Sequence, residues 1–486
     1  MDRAAYTARK SIPDIIASAD AGEVGLRRAL GHFSITAIGI GAIIGAGIFV
    51  LTGTAAAQYA GPALVLSFVL GAIACAFVGL CYAELAAMIP VSGSAYTYTY
   101  ATLGELMAWI IGWDLILEYA MGAATVAVGW SGYVTSLLAG FGLYLPTVLT
   151  HATGTTVTLA DGTQASALFN LPAALVVLVL TGLLMLGTRE STRLNNIMVA
   201  VKLSVVAIFI LIGAVHVTPA NWQPFLPENT GEFGHYGWSG VLRGAGVVFF
   251  AFIGFDAIST AAQEAKSPQR DMPIGIIASL TVCTLLYVLV AGVLTGLVPY
   301  PALNVADPIA KGTDAIGLPW LSGLIKIGAI AGLTTVILVL LYAQSRIFLA
   351  ISQDGLLPPV FRHLHPRRHT PWISQLMVGG AVAFTAAVLP IGILGEMVGI
   401  GTLFAFVLVC GAVLYLRRSE PGVHRPFRAP GAPIVPVLGM LFSLLLMAGL
   451  PLDTWLRLII WMAIGCGIYA FYGRHHSRLR HSGAER

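Results

Sequence analysis

Charge is what this 486-residue chain has least of. Only 10% of its residues are Asp, Glu, Lys or Arg and 57% are hydrophobic, whereas a soluble globular domain carries about 25% charged residues. Such a chain cannot cover a soluble surface of its own size, so the composition points to an all-α membrane protein that crosses the bilayer many times. Cysteine is scarce too. The five present, Cys75, Cys81, Cys283, Cys410 and Cys466, all fall in apolar runs, so buried thiols are expected and a disulfide framework is not. No H-E-x-x-H pair and no G-x-S-x-G elbow occurs, which argues against a membrane enzyme. No segment leaves room for a soluble domain, and the first thirty residues, with Arg3, Arg9, Lys10, Arg27 and Arg28, lack the form of a signal peptide.

What is there is apolar helix. At about 20 apolar residues per crossing, hydropathy predicts twelve spans, near 32–57, 62–89, 103–140, 170–187, 194–216, 239–263, 273–298, 317–351, 372–391, 396–417, 432–451 and 454–473. Of the 26 basic residues, all but Lys202, Arg243, Lys311, Lys326 and Arg457 fall in the termini, the even-numbered loops or the span ends beside them. The positive-inside rule then makes both termini cytoplasmic. The formal net charge of +4 is explained by that distribution, and no nucleic-acid partner is implied. The basic tail from Arg474 to Arg480 reads as a juxtamembrane anchor on anionic lipid. The loop from Phe141 to Asn170 reads as a tether.

Three places inside the apolar runs could carry chemistry. The first helix holds Gly39, Gly41, Gly45 and Gly47 within nine residues, each costing a helix up to about 1 kcal/mol relative to alanine. Close helix packing and a break whose free N–H groups bind an anion both account for that run; a dinucleotide fingerprint does not, because the spacing is wrong and no strand precedes it. The sixth helix has its own interruption, Phe250-Ala-Phe-Ile-Gly254-Phe-Asp256. Interruptions at matching depth, five helices apart, favour the broken-helix reading. Asp256 is expected to cap the second half-helix. In the third helix, Asp114 and Glu118 are four apart and share a face; a proton relay and hydrogen bonding to neighbouring helices both fit.

Lys202 is the most expensive residue. It sits inside the run from Ile197 to Val215, roughly 13 Å along the axis from Arg193 at about 1.5 Å per residue. An ammonium at that depth costs at least about 2.5–3.5 kcal/mol on insertion scales. Position alone allows either a functional cavity or a stem snorkelling back to the interface.

The stretches GAIIGAGIF, WDLILEY, NNIMVAVK, FFAFIGFD and EAKSPQRDMPIGI, in this order and spacing, resemble the amino acid–polyamine–organocation superfamily. Within it the chain is similar to bacterial members of the cationic amino acid transporter branch, from about Arg27 to the last helix. The resemblance implies twelve helices arranged as a five-plus-five inverted repeat, 32–216 followed by 239–391 and 396–417, with helices one and six broken. A cytoplasmic segment 1–31, helices eleven and twelve (432–473) and a basic tail 474–486 complete the chain. It also implies an amino acid site, with Ile43 among its residues, in which amides around Gly45, Ala46 and Gly47 hold the carboxylate and carbonyls around Phe250, Ala251 and Ile253 take the ammonium. Half-helix N-termini favour anions and exposed C-terminal carbonyls favour cations, so the physics agrees. Ala46 stands where many relatives carry Ser or Thr, so no side-chain hydroxyl helps there.

By the same resemblance, Lys202 occupies the place of a sodium ion, which turns the reading of that residue towards function and predicts a proton gradient as driving force, with no sodium, metal or cofactor. Low-dielectric surroundings disfavour a charged amine, so proton loss there is feasible. Glu118 is the reserve proton carrier. Leu340 aligns beside the substrate side chain, where an apolar group favours small neutral amino acids and leaves cationic ones open. The expectation is an amino acid–proton symporter of the cytoplasmic membrane. An exchanger without proton coupling and a non-transporting sensor are the alternatives, and a small single-helix partner stays open.

Overall fold

The computed structural model describes residues 9–13, 15, 30–91, 93–159, 162–305, 307–366, 368 and 370–479, the side chains of residues 188–194 and 264 excepted. Most of the 1–31 segment, Arg367, His369 and the tail from 480 therefore lie outside the described residues, as do the side chains of Arg189 and Arg193. Eight described stretches are long and apolar enough to cross a membrane: His32–Met88, Glu105–Gly140, Asn195–Ala214, Gly237–Gln263, Pro268–Leu297, Pro319–Gln353, Ile391–Ser419 and Leu452–His476. Three shorter apolar helices, Leu171–Leu186, Trp372–Val388 and Ile434–Ala448, stand beside them.

The first stretch is not one rod. At 1.5 Å per residue its 57 residues would measure roughly 85 Å, nearly three times the hydrocarbon thickness. Helix α1 (His32–Ile43) stops at Ile44, whose ψ of 100° is extended, and a π-helical turn, Gly47–Leu51, follows. After α2 (Thr52–Ala55) and a second π turn, Gly61 takes a φ of +60° ahead of Pro62 and ends the rod. Helix α3 (Leu64–Met88) comes next, then α4 (Ser94–Thr102) and α5 (Glu105–Gly140). The 36 residues of α5 exceed the thickness of the core and must tilt or protrude.

Helices α6 (Leu171–Leu186) and α7 (Thr188–Ala214) follow, and α7 starts six residues ahead of the span expected near 194–216. Helix α8 (Gly237–Val248) tightens into a 3-10 turn, Phe249–Phe252, opens at Ile253 and Gly254, and resumes as a 3-10 segment, Asp256–Glu264. The rest is α9 (Pro268–Leu297), α10 (Pro308–Ala315), α11 (Pro319–Gln353), α12 (Trp372–Val388), α13 (Ile391–Ser419), α14 (Ile434–Ala448) and α15 (Leu452–Ile468). Helix α5 packs on α11 and α13, α3 on α9, and α7 on α11, with α1 between α9, α7 and α11. The broken segments thus lie at the centre of the bundle.

Two expectations need correction. The 141–170 loop is not a bare tether, because β1 (Thr156–Thr158) and β2 (Gln164–Ser166) form an antiparallel hairpin. The amides of Thr153 and Asn170 pin its base to the carbonyls of Val388 and Ala387 at 3.1 and 2.8 Å. Four of the five cysteines are buried, but Cys466 is exposed on α15. An apolar run in a membrane helix has a lipid-facing side, so hydropathy alone does not fix burial.

Described residues from near the two termini, Lys10 and Arg478, meet at one end of the bundle. Lys10 pairs with Asp354, which also accepts the Tyr96 hydroxyl at 2.6 Å, while the Arg478 amide donates to the Asp354 carbonyl at 3.1 Å. Beside them the buried Glu105 carboxylate accepts hydroxyls from Tyr100 at 3.0 Å, Tyr469 at 2.8 Å and Ser477. Stranding a buried hydroxyl costs about 1–3 kcal/mol. Glu105→Ala is therefore expected to lower the melting temperature of the purified protein by several degrees; an unchanged melting curve would contradict the role given to this knot.

Candidate functional site

The two interruptions meet each other. A Cβ on Gly47 would fall 2.1 Å from Ala251 Cα, so the second half of the first span lies directly on the sixth-span backbone. Gly254, at φ +112°, returns the contact: a Cβ there would fall 2.9 Å from the Ala42 carbonyl oxygen. Gly45 lies against Val336 of α11, whose Cγ2 would be 2.7 Å from an added Cβ. Glycine is thus required at Gly47 and Gly254 for close approach of backbone.

A broken helix inside hydrocarbon exposes backbone groups that cost several kcal/mol each unless they are paired. The pairing comes from distant side chains. Lys202 on α7, fully buried, points its ammonium at the carbonyls of Gly41 (2.7 Å) and Ile44 (2.9 Å) and at Thr335 Oγ1 (3.0 Å). Three neutral oxygens meet the three donors of the ammonium. Thr335 donates in turn to Gly332 at 2.7 Å. The snorkelling alternative is excluded by this geometry, since the stem runs inward past Gly332. Tyr287 on α9 places its hydroxyl between the carbonyls of Ile43 (2.8 Å) and Ala251 (2.7 Å), bridging the two breaks. Tyr133 donates to the Phe49 carbonyl at 2.6 Å.

Amides are treated differently. Among the described residues, the backbone N–H groups of Gly45, Ala46 and Gly47 have no backbone acceptor, and they stand at the N-terminus of the second half-helix. On the sixth span the Phe250 carbonyl accepts from the Ile253 amide at 3.3 Å and the Ala251 carbonyl holds Tyr287. Two of the three carbonyls expected to face the ammonium therefore already have donors. The Ile253 carbonyl has no backbone donor among the described residues.

Leu340 lies on α11 one turn beyond Val336, with Cδ1 3.1 Å from the Cβ position of Gly122 on α5. Val398 of α13 stands 3.9 Å from the same point. Gly129, two turns along α5, faces Val50 and Ala46. These residues pack as an apolar cluster beside the first-span break.

Asp256 does not act as the expected N-cap. It is the first residue of the 3-10 segment, with one carboxylate oxygen accepting the Gly254 amide at 3.2 Å and the other the Tyr119 hydroxyl. It closes the turn at the break instead of capping the helix beyond it. Asp114 and Glu118 are fully buried and their four oxygens have no hydrogen-bond partner among the described residues. The helix-bridging role weighed for Asp114 is absent, since it rests against Gly401. Glu118 faces Thr402, whose hydroxyl is donated to Val398 at 3.0 Å. Tyr287, Thr335, Val336 and Tyr119 were missed in the sequence. The only signal was a lone hydroxyl in an apolar run, as in Thr-Leu-Leu-Tyr287-Val-Leu.

A bundle of apolar helices with two touching interruptions at its core is a multi-pass membrane transport protein, not an enzyme. The chain belongs to the amino acid permease family, within the amino acid–polyamine–organocation superfamily: the family model matches residues 30–471. It is 50% identical to the branched-chain amino acid permease BcaP of Bacillus subtilis (strain 168), over 97% of this chain and 98% of that protein. It is 46% identical to the methylthioribose transporter of the same organism, over 95% and 97%. The chloroplastic cationic amino acid transporter 9 of Arabidopsis thaliana is 34% identical, over 93% and 89%.

Substituting Gly47→Val is expected to abolish amino acid binding while the protein stays in the membrane, because the new side chain drives the two breaks apart. Gly182→Val, at a position with no atom within 4 Å of an added Cβ, serves as the control. Unchanged affinity of Gly47→Val by titration calorimetry would mean that the glycine serves packing alone.

Proposed function

We propose that the chain imports branched-chain and other small neutral L-amino acids by proton symport with alternating access. One observation carries this reading. The carbonyls of the first-span break are paired by Lys202 and Tyr287, while the amides of Gly45, Ala46 and Gly47 are left without acceptors among the described residues. Those amides, at a half-helix N-terminus, suit a carboxylate. The substrate ammonium then faces the sixth-span carbonyls near Ile253. The apolar wall of Val50, Val336, Leu340 and Val398 offers a branched aliphatic side chain contact and a guanidinium no partner, so cationic substrates are disfavoured.

The topology that goes with this reading has twelve crossings with both termini cytoplasmic. Residues 32–216 form one inverted repeat and 239–417 the other, with two further helices at 432–473. Lys202 changes protonation in each cycle, releasing and re-forming its hold on Gly41 and Ile44, and Glu118 is the second proton-carrying group. Thr335 supports the ammonium. No sodium is required, because the lysine supplies the positive charge. An exchanger would keep Lys202 charged throughout, and a sensor would bind without net flux.

Proteoliposomes with an imposed pH gradient and no sodium test the coupling. Wild type is expected to concentrate leucine, whereas Lys202→Ala is expected to lose gradient-driven accumulation while retaining exchange or binding. Glu118→Gln is expected to reduce the accumulation. Wild-type-like accumulation by Lys202→Ala would overturn the coupling role. A second reading, transport of methylthioribose, is favoured by the 46% identity to that transporter. Thermal stabilisation by methylthioribose and not by leucine would select it.

A further inference from the structure

Outside the central site the molecule has a trough of about 600 Å³ lined by Gln269, Arg270, Pro273, Ile274, Ile277 and Ala278 of α9, with Pro426 and Phe427 opposite. The α9 wall spans the ten residues from Gln269 to Ala278, roughly 14 Å at 1.5 Å per residue, and runs from a polar, charged end into the apolar part of a spanning helix. Ile274 is exposed on that wall. The opposite wall is fixed in place. Glu84, buried at the end of α3, accepts Arg417 Nε at 3.0 Å and the Ala429 amide at 2.8 Å, and pairs with Arg425 at 3.5 Å. Arg425 also donates to the Val423, Leu416 and Glu420 carbonyls at 2.8, 3.1 and 2.9 Å. The loop carrying Phe427 is therefore built around an ion pair and is not a loose connection.

Among the described residues, the exposed charges adjoining the two walls in sequence are basic. Arg425 and Arg417 are committed to Glu84, but Arg270 is exposed and has no carboxylate within ion-pair distance among the described residues. The acid in the first turn of α9, Asp271, is buried and turned inward, accepting the Ser267 amide at 3.1 Å and lying 3.8 Å from His32. It does not neutralise the arginine. Lys266 and Arg428, both exposed, stand next to the two walls in sequence. An apolar slot beside a spanning helix, with an exposed guanidinium at its polar end, matches one membrane component in shape and charge.

We propose that this trough is a binding site for an anionic phospholipid of the leaflet bordering the basic loops. One acyl chain lies along Ile274, Ile277, Ala278 and Phe427, and the headgroup phosphate sits on Arg270. The site ties the start of α9 to the 420–433 loop through a lipid, and it stands independently of the transport mechanism. A cation near an anionic headgroup is worth about fivefold in affinity.

Native mass spectrometry of the purified full-length protein titrated with phosphatidylglycerol or phosphatidylcholine of matched chains tests it. Wild type is expected to hold one phosphatidylglycerol at least about fivefold more tightly than phosphatidylcholine. Arg270→Ala is expected to abolish that preference, and Ala278→Trp, which fills the slot, to remove the tight site for both lipids. Melting curves in phosphatidylcholine establish that each variant is folded. A preference undiminished in Arg270→Ala, or equal wild-type binding of the two lipids, would overturn the proposal. Arg270→Ala, at an exposed position, decides alone should Ala278→Trp fail to fold.

Discussion

Backbone polar groups have nowhere to go inside a bilayer, and every feature at the centre of this protein follows from that constraint. An unbroken helix hides them; two interrupted helices side by side do not. The cost is met from outside the interrupted segments, by an ammonium on α7 and hydroxyls on α9 and α5. Lys202 would be a liability anywhere else at its depth. Here its three donors meet three oxygens, and the charge it brings offsets the partial negative charge of a C-terminal half-helix end. The same arrangement leaves the amides of the next half-helix open, which is what gives the break its polarity towards an anion.

The glycines serve that arrangement by proximity. Gly47 on Ala251 and Gly254 on Ala42 bring two backbones together as no residue with a Cβ allows, and Tyr287 bridges the seam they form. One side of the seam is polar and the other is walled by Val50, Val336, Leu340 and Val398. A ligand that fits needs charge at one end and a short aliphatic group at the other. On the proposed function, substrate class is carried by the local contrast between open amides and an apolar wall, and the surrounding helices hold both in register.

Much of this was legible in the chain. The glycine run, the Phe-Ile-Gly254-Phe interruption and Lys202 are local anomalies, each too costly to stand in an apolar helix without a reason, and they mark where the helices break. The positions that answer them were hidden. Tyr287 and Thr335 are ordinary within their own runs, and only the approach of α9 and α11 to α1 gives their hydroxyls a role. Asp256 was legible as a turn residue, but its partners at Gly254 and Tyr119 were not, so its assignment as a helix cap was wrong in detail. Cys466 and the 156–166 hairpin escaped because hydropathy does not distinguish lipid from neighbouring helix, and because short strands in a Thr-rich loop have no period to detect. The carboxylates of Asp114 and Glu118 could be placed on one face by spacing, while their lack of hydrogen-bond partners among the described residues is a tertiary fact.

Titration calorimetry of the purified protein with L-leucine and with 3-methylbutylamine, the same molecule lacking its carboxylate, tests the open-amide cradle most directly. The account predicts saturable binding of leucine and none of the amine at the same concentrations, because the amides of Gly45, Ala46 and Gly47 have no anion to hold in the second case. Binding of the amine with affinity close to that of leucine would contradict it.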